Sequence, residues 1–256
     1  MLTAVDFIAA VASEYHASAE HASTDCVILK FNLALSDGRT VAYEIEATHV
    51  GGNKVAAKER VPVNLPKFCP HRHINIDGTF CLYWWEVSNL DVCDNDSAHA
   101  WWRTLWKFLV LQYRAKKIRR WPNNNEWAHG PKAALEQHRA ESAARALGAK
   151  YELALRERRL SIVSTKRVMK LYENNAYLYS VWRDSKKVVK LKQRCICDSS
   201  GGKVPKRLRR CGTHAADASI LAFSLHLWAI REEEFWSEIK DFPCCGSCDN
   251  CRLKTA

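Results

Sequence analysis

The chain has 256 residues, 47% apolar and 26% charged, enough for sizeable cores and ordinary for a folded protein. It contains no apolar run of roughly eighteen residues and no basic start followed by an apolar export segment, which points to the cytoplasm and away from a membrane partner. The net charge of +11 is uneven: residues 1–100 hold 7 Lys and Arg against 13 Asp and Glu, and residues 101–256 hold 32 against 15. A basic second half suits an acidic protein partner or nucleic acid, but no base-reading motif accompanies it.

Residues 3–20 read as an amphipathic helix, with Val5, Ile8, Val11, Ala12 and Tyr15 on one side. Cys26 to Leu35 and Thr40 to Val50 read as strands around the Asp37-Gly38 turn. Lys54 to Leu65 is a third, more polar extended segment that Pro62 and Pro66 confine to an edge. A helix followed by an antiparallel meander is therefore expected over the first 65 residues.

The central stretch, Cys69-Pro-His71-Arg-His73-Ile-Asn-Ile-Asp77-Gly78-Thr-Phe-Cys81-Leu82, has weak regular-structure signals and the look of a loop that carries chemistry on a rigid sheet. An acidic patch with Asp91, Asp94 and Asp96 follows, and Asp96 or Ser97 can cap the next helix. From Ala98 to about Ile118 the helical face carries Trp102, Trp106, Leu109 and Tyr113, with Trp101, Leu105 and Phe108 beside them; this aromatic surface should pack on the meander. Residues 132–160 are the strongest helix prediction, with Gly148 as a weak point. Residues 161–192 alternate strand-like runs, Tyr177–Trp182 and Val188–Leu191, with basic turns. A last helix is expected over about 216–240, ahead of a closing cysteine cluster.

The spacing His71, His73, Gly78, Cys81-Leu82 resembles the active-site segment of the ubiquitin-conjugating enzymes, a His-Pro-Asn triplet, a Gly turn and a catalytic Cys-Leu pair. Arg72 stands in the position of the family's Pro and His73 in that of its Asn. The family's Trp-Ser-Pro element and its paired C-terminal helices have no counterpart, and the chain is closer to the divergent bacterial branch encoded with ubiquitin-like proteins and activating enzymes. The resemblance covers about residues 1–130. It implies an α+β fold with an N-terminal helix, antiparallel meander and active-site loop. It also implies acyl transfer in which Cys81 takes a ubiquitin-like protein from an activating enzyme and passes it to an acceptor protein, using neither metal nor nucleotide directly. His73 is the candidate for an oxyanion donor or base. His71, Asp94, Asp96, His99 and His129 are candidate contributors, with loop ordering, capping and solvation as their plainer readings. Cys69 and Cys93 read as bystanders.

Beyond a helical connector at 131–160, residues 161–256 form a basic cysteine-rich region. Seven of the eleven cysteines fall there, at 195, 197, 211, 244, 245, 248 and 251, with His214. Close thiol pairs in a cytosolic chain favour a metal over disulfides. Zinc is the first candidate, because two thiolates at Cys-x₂-Cys spacing reach one ion, and an iron–sulfur cluster is the lesser alternative. Cys245/Cys248 and Cys248/Cys251 share that spacing, so the ligand assignment stays open between one Cys₄ site and two sites or a cluster. The alternative to transfer chemistry is a non-catalytic scaffold with a zinc-stabilised protein- or nucleic-acid-binding module. The basic runs Lys186 to Arg194 and Lys203 to Arg210 would serve the latter.

Overall fold

A computed structural model describes residues 2–84, 87, 90–122, 127–190, 192, 194, 195 and 207–254. The chain divides into two compact units, Met1–Asn124 with Phe242–Ala256, and Asn125–Asp241.

The first unit begins with α1 (Ala4–Ala10), capped by Thr3 and Asp6, each bonding back to the other's backbone or side chain. A single 3₁₀ turn, Ala12–Tyr15, follows. The helix expected over 3–20 therefore stops early. His16 takes the left-handed conformation (φ 54°), and Ser18–Ser23 form β1. Its six exposed side chains give it no apolar alternation, so the strand was hidden from a hydrophobicity reading; it is specified by pairing with its neighbour. β2 (Cys26–Ala34), β3 (Thr40–His49) and β4 (Val55–Glu59) complete an antiparallel meander in the order β1-β2-β3-β4.

β4 is shorter than the extended segment expected to reach Leu65. The buried Glu59 carboxylate accepts the backbone N–H groups of Val63, Asn64 and Leu65, so the chain curls around the end of the strand. These bonds replace the ladder that Pro62 forbids.

α2 (Asn95–Ile118) lays its aromatic face on the meander as expected. Its cap is Asp94, whose carboxylate accepts from Ser97 N at 2.8 Å, rather than Asp96 or Ser97. Trp101 and Trp102 are fully buried, and each indole still finds an acceptor, Val55 O at 3.3 Å and Ile8 O at 3.1 Å. Tyr15 stacks on Trp102 at 4.8 Å and Phe31 meets it edge-on at 5.5 Å.

In the second unit, α3 (Pro131–Leu147) and α4 (Ala149–Arg156) are separated at Gly148. An antiparallel sheet of β5 (Leu160–Ser164), β6 (Val168–Glu173) and β7 (Ala176–Trp182) follows, then α5 (His214–Glu238). Ala140, Ala144, Leu147, Leu171, Val181, Leu221 and Ala222 make the core, and Tyr179 ties the sheet to α5 through Ala218 O at 2.9 Å. Of the 188–191 run expected as a strand, Val188 makes one bridge to Val181, and Leu191 lies outside the described residues. Among the described residues, no helix is long and apolar enough to cross a membrane.

Two glycines here adopt backbone conformations that side chains resist, Gly130 (φ +85°) and Gly148 (φ +111°). They differ in surroundings: a Cβ on Gly130 would lie 2.9 Å from Phe235 Cδ2, whereas one on Gly148 would meet nothing within 4 Å. Gly130→Ala should therefore destabilise the second unit more than Gly148→Ala, by about 1–3 kcal/mol beyond the shared backbone strain, and so lower its denaturant midpoint further. Equal shifts in equilibrium urea unfolding would contradict this packing.

Candidate active site

The loop before Cys81 is built by short-range hydrogen bonding. Cys69 and Ile74 exchange backbone bonds, each at 3.1 Å, around a 3₁₀ turn of Pro70–Arg72. His73 ends that turn in the left-handed conformation (φ 54°), which reverses the chain. Asp77 and Gly78 make the next reversal: the Asp77 carboxylate accepts from Thr79 N at 3.0 Å, and Gly78 sits at φ +81°. Phe80 N then donates to Ala57 O at 2.7 Å, anchoring the loop to β4, and Cys81 N donates to His73 O at 2.8 Å.

Arg72 holds this loop to α2. Its side chain is 2% exposed, with Nε donating to Gln112 Oε1 at 2.8 Å and Nη2 to Gln112 O at 3.1 Å, while Gln112 Nε2 donates back to Arg72 O. Among the described residues no carboxylate pairs with this guanidinium. From the sequence Arg72 stands out only as the replacement for the family's Pro, and Gln112 does not stand out at all. The signal that could have found Gln112 is its place on the stripe of α2 that otherwise holds Phe108, Leu109 and Ala115.

Cys81 is half-buried between Phe80 and Leu82, and among the described residues nothing hydrogen-bonds its sulfur. Burial pushes its thiol above the ordinary cysteine value. His73 joins the Cys81 segment through its backbone carbonyl, and its ring meets Trp121 edge-on at 4.7 Å. His71 lies in the 3₁₀ turn. Asp94 caps α2, and Ser97 bonding holds its carboxyl below the usual value. Asp96 and His99 are on the first turns of α2, where His99 Nδ1 is 3.0 Å from the Tyr15 hydroxyl and Nε2 is 3.6 Å from Glu14. His129 belongs to the second unit, with Nδ1 2.8 Å from Glu232 Oε1.

The cysteine-rich residues fall into two groups. In the second unit, the ligand atoms of Cys195, Cys211 and His214 all lie within 4.8 Å of one another. Cys195 Sγ and Cys211 Sγ stand 3.3 and 3.6 Å from His214 Nδ1. Two buried thiols converging on one imidazole nitrogen fit a metal ion. Cys197 and the basic residues Lys203 and Lys206 lie outside the described residues; Leu208–Arg210 form a 3₁₀ turn. Cys244, Cys245, Cys248 and Cys251 belong instead to the first unit.

Comparison with known families agrees with the resemblance drawn from residues 71–82. Residues 15–123 match the family model of the prokaryotic E2 domain, E2 being the conjugating-enzyme class. Residues 128–253 match the model of a cysteine-rich domain found C-terminal to E2 domains. The chain thus joins a domain of the prokaryotic E2 family to a cysteine-rich domain of the kind that lies C-terminal to such domains. Neither the comparison with curated proteins nor that with solved structures returns a match. A domain of this class has a conjugating-enzyme-like role, which involves an activating enzyme and a ubiquitin-like protein in general terms.

Because burial raises the Cys81 thiol, little thiolate is present at neutral pH. Iodoacetamide labelling of Cys81, followed by peptide mass spectrometry, should still accelerate above the pH at which an unhindered cysteine has levelled off. A plateau at or below neutral pH would contradict this environment.

Proposed function

We propose that Cys81 carries a ubiquitin-like modifier as a thioester. The observation that supports this best is a half-buried thiol at the end of a cross-braced loop within a prokaryotic E2 domain. The Cys81 thiolate attacks the carbonyl carbon of the modifier's C-terminal thioester on the activating enzyme. The C–S bond to Cys81 forms and the C–S bond to the activating enzyme breaks, so the activating-enzyme cysteine leaves as thiolate; the proton Cys81 gave to solvent on becoming a thiolate is matched by the one this leaving group takes up. An amine or other nucleophile of an acceptor protein then displaces Cys81.

The raised thiol value suits this sequence of events. A free Cys81 is mostly protonated and so resists adventitious alkylation and oxidation, while thioester exchange couples proton loss to attack. In this reading His73 is a positioning residue: its carbonyl fixes the Cys81 amide and its ring braces the loop on Trp121. His71 orders the same turn, and Asp94, by capping α2, fixes the start of the helix that carries Gln112. In the second unit, Cys195, Cys211 and His214 hold a zinc ion with a structural role, pinning the start of α5. A mixed sulfur and nitrogen donor set favours zinc over an iron–sulfur cluster.

The test is incubation with the activating enzyme, its ubiquitin-like protein and ATP, followed by non-reducing gels and intact mass. An adduct on Cys81 that thiol reductant removes is expected. Cys81→Ser should give either no adduct or an ester that reductant leaves intact. A reductant-sensitive adduct of the same yield in Cys81→Ser would overturn the assignment and leave a non-catalytic scaffold as the better reading.

A further inference from the structure

Cys69 opens the active-site loop, yet its side chain turns away from Cys81 chemistry and into the C-terminal tail. It is 2% exposed, and its sulfur lies 4.0 Å from Cys248 Sγ and 3.9 Å from Ser247 Oγ, a hydroxyl that also stands 2.9 Å from Cys245 Sγ. We propose that Cys69, Cys245 and Cys248, with a fourth ligand from one of the two remaining tail thiols, Cys244 or Cys251, bind a zinc ion that fastens the tail to the base of the Cys81 loop. This centre is distinct from the Cys195, Cys211 and His214 cluster and does not depend on the acyl-transfer reading.

Two independent observations converge on it. The first is spacing. A zinc–sulfur bond of ~2.3 Å puts tetrahedral thiolates about 3.8 Å apart, close to the 4.0 Å between Cys69 and Cys248. That separation is far too long for a disulfide, which needs about 2.05 Å.

The second is preorganisation of the tail. Asp249 N donates to Arg119 O at 3.0 Å, Arg119 Nη2 to Gly246 O at 3.0 Å, and Arg119 Nε to the Asp249 carboxylate, so the Cys245-Gly-Ser-Cys248 turn is held against the C-terminal end of α2. Gly246 at φ +68° permits the tight reversal that brings two thiols of a Cys-x₂-Cys pair to one ion. Phe242 packs edge-on against Phe68 at 5.4 Å, seating the tail beside Cys69. The Ser247 hydroxyl, 2.9 Å from Cys245 Sγ, is an outer-shell donor for a thiolate.

The experiment uses the full chain, expressed with zinc and assayed for metal by mass spectrometry. Cys69→Ser should lose one zinc equivalent relative to the unmodified chain, Cys211→Ser the other, and Cys26→Ser none. Because Cys69→Ser can unfold the first unit, the unmodified chain is also labelled with a maleimide before and after treatment with a zinc chelator. Cys69, Cys245 and Cys248 should become reactive together, and only after chelation. Unchanged zinc in Cys69→Ser overturns the proposal, as does labelling of Cys69 that is indifferent to chelator, or recovery of a Cys69–Cys248 disulfide in place of metal.

Discussion

A buried guanidinium is the constraint on which the first unit turns. Removing Arg72 from water costs on the order of several kcal/mol, and the structure offsets that cost with the carboxamide and carbonyl of Gln112 instead of a carboxylate. The arrangement is reciprocal, since Gln112 Nε2 returns a bond to Arg72 O. Loop backbone and helix backbone are therefore held by the same two side chains. Everything from Cys69 to Cys81 hangs from this point: the Ile74 bridge, the left-handed His73, the Asp77-Gly78 turn and the Cys81 amide on the His73 carbonyl.

A fixed loop matters because thioester exchange is governed by placement. The Cys81 thiol has no dedicated base hydrogen-bonded to it among the described residues, and burial disfavours its anion. What remains for the protein to supply is a sulfur held at the surface in one orientation, which is where intramolecular positioning yields large rate effects. The Trp101, Trp102 and Phe108 face of α2 contributes to that rigidity, because the helix carrying Gln112 cannot shift without disturbing the aromatic core.

Much of this was legible in the chain. Alternation in β2 and β3 and the aromatic stripe of α2 depend on burying apolar residues, and they read correctly. The family resemblance was readable because the spacing that carries it is local, and the prokaryotic E2 match agrees with it. What escaped depends on polar groups meeting across long sequence distances. β1 has no buried face to signal it, Glu59 organises 63–65 by accepting amides, and Arg72 with Gln112 are 40 residues apart. Cys69 looked like a bystander because its partners lie near the other end of the chain, 179 residues away in the case of Cys248. The cysteine-rich family match runs to residue 253, although residues from Phe242 onward group with the first unit, so motif boundaries and compact units need not coincide.

The central claim is that the Arg72–Gln112 clamp sets the presentation of Cys81. Single-turnover transfer from a preloaded activating enzyme to Cys81 tests it most directly, comparing the unmodified chain with Gln112→Leu after circular dichroism confirms that both are folded. The clamp predicts a slowing of Gln112→Leu by at least about tenfold, since small misplacements of a reacting atom carry penalties of that order. Transfer at the unmodified rate in a folded Gln112→Leu chain would show that the loop holds its shape without the clamp, and would contradict the account.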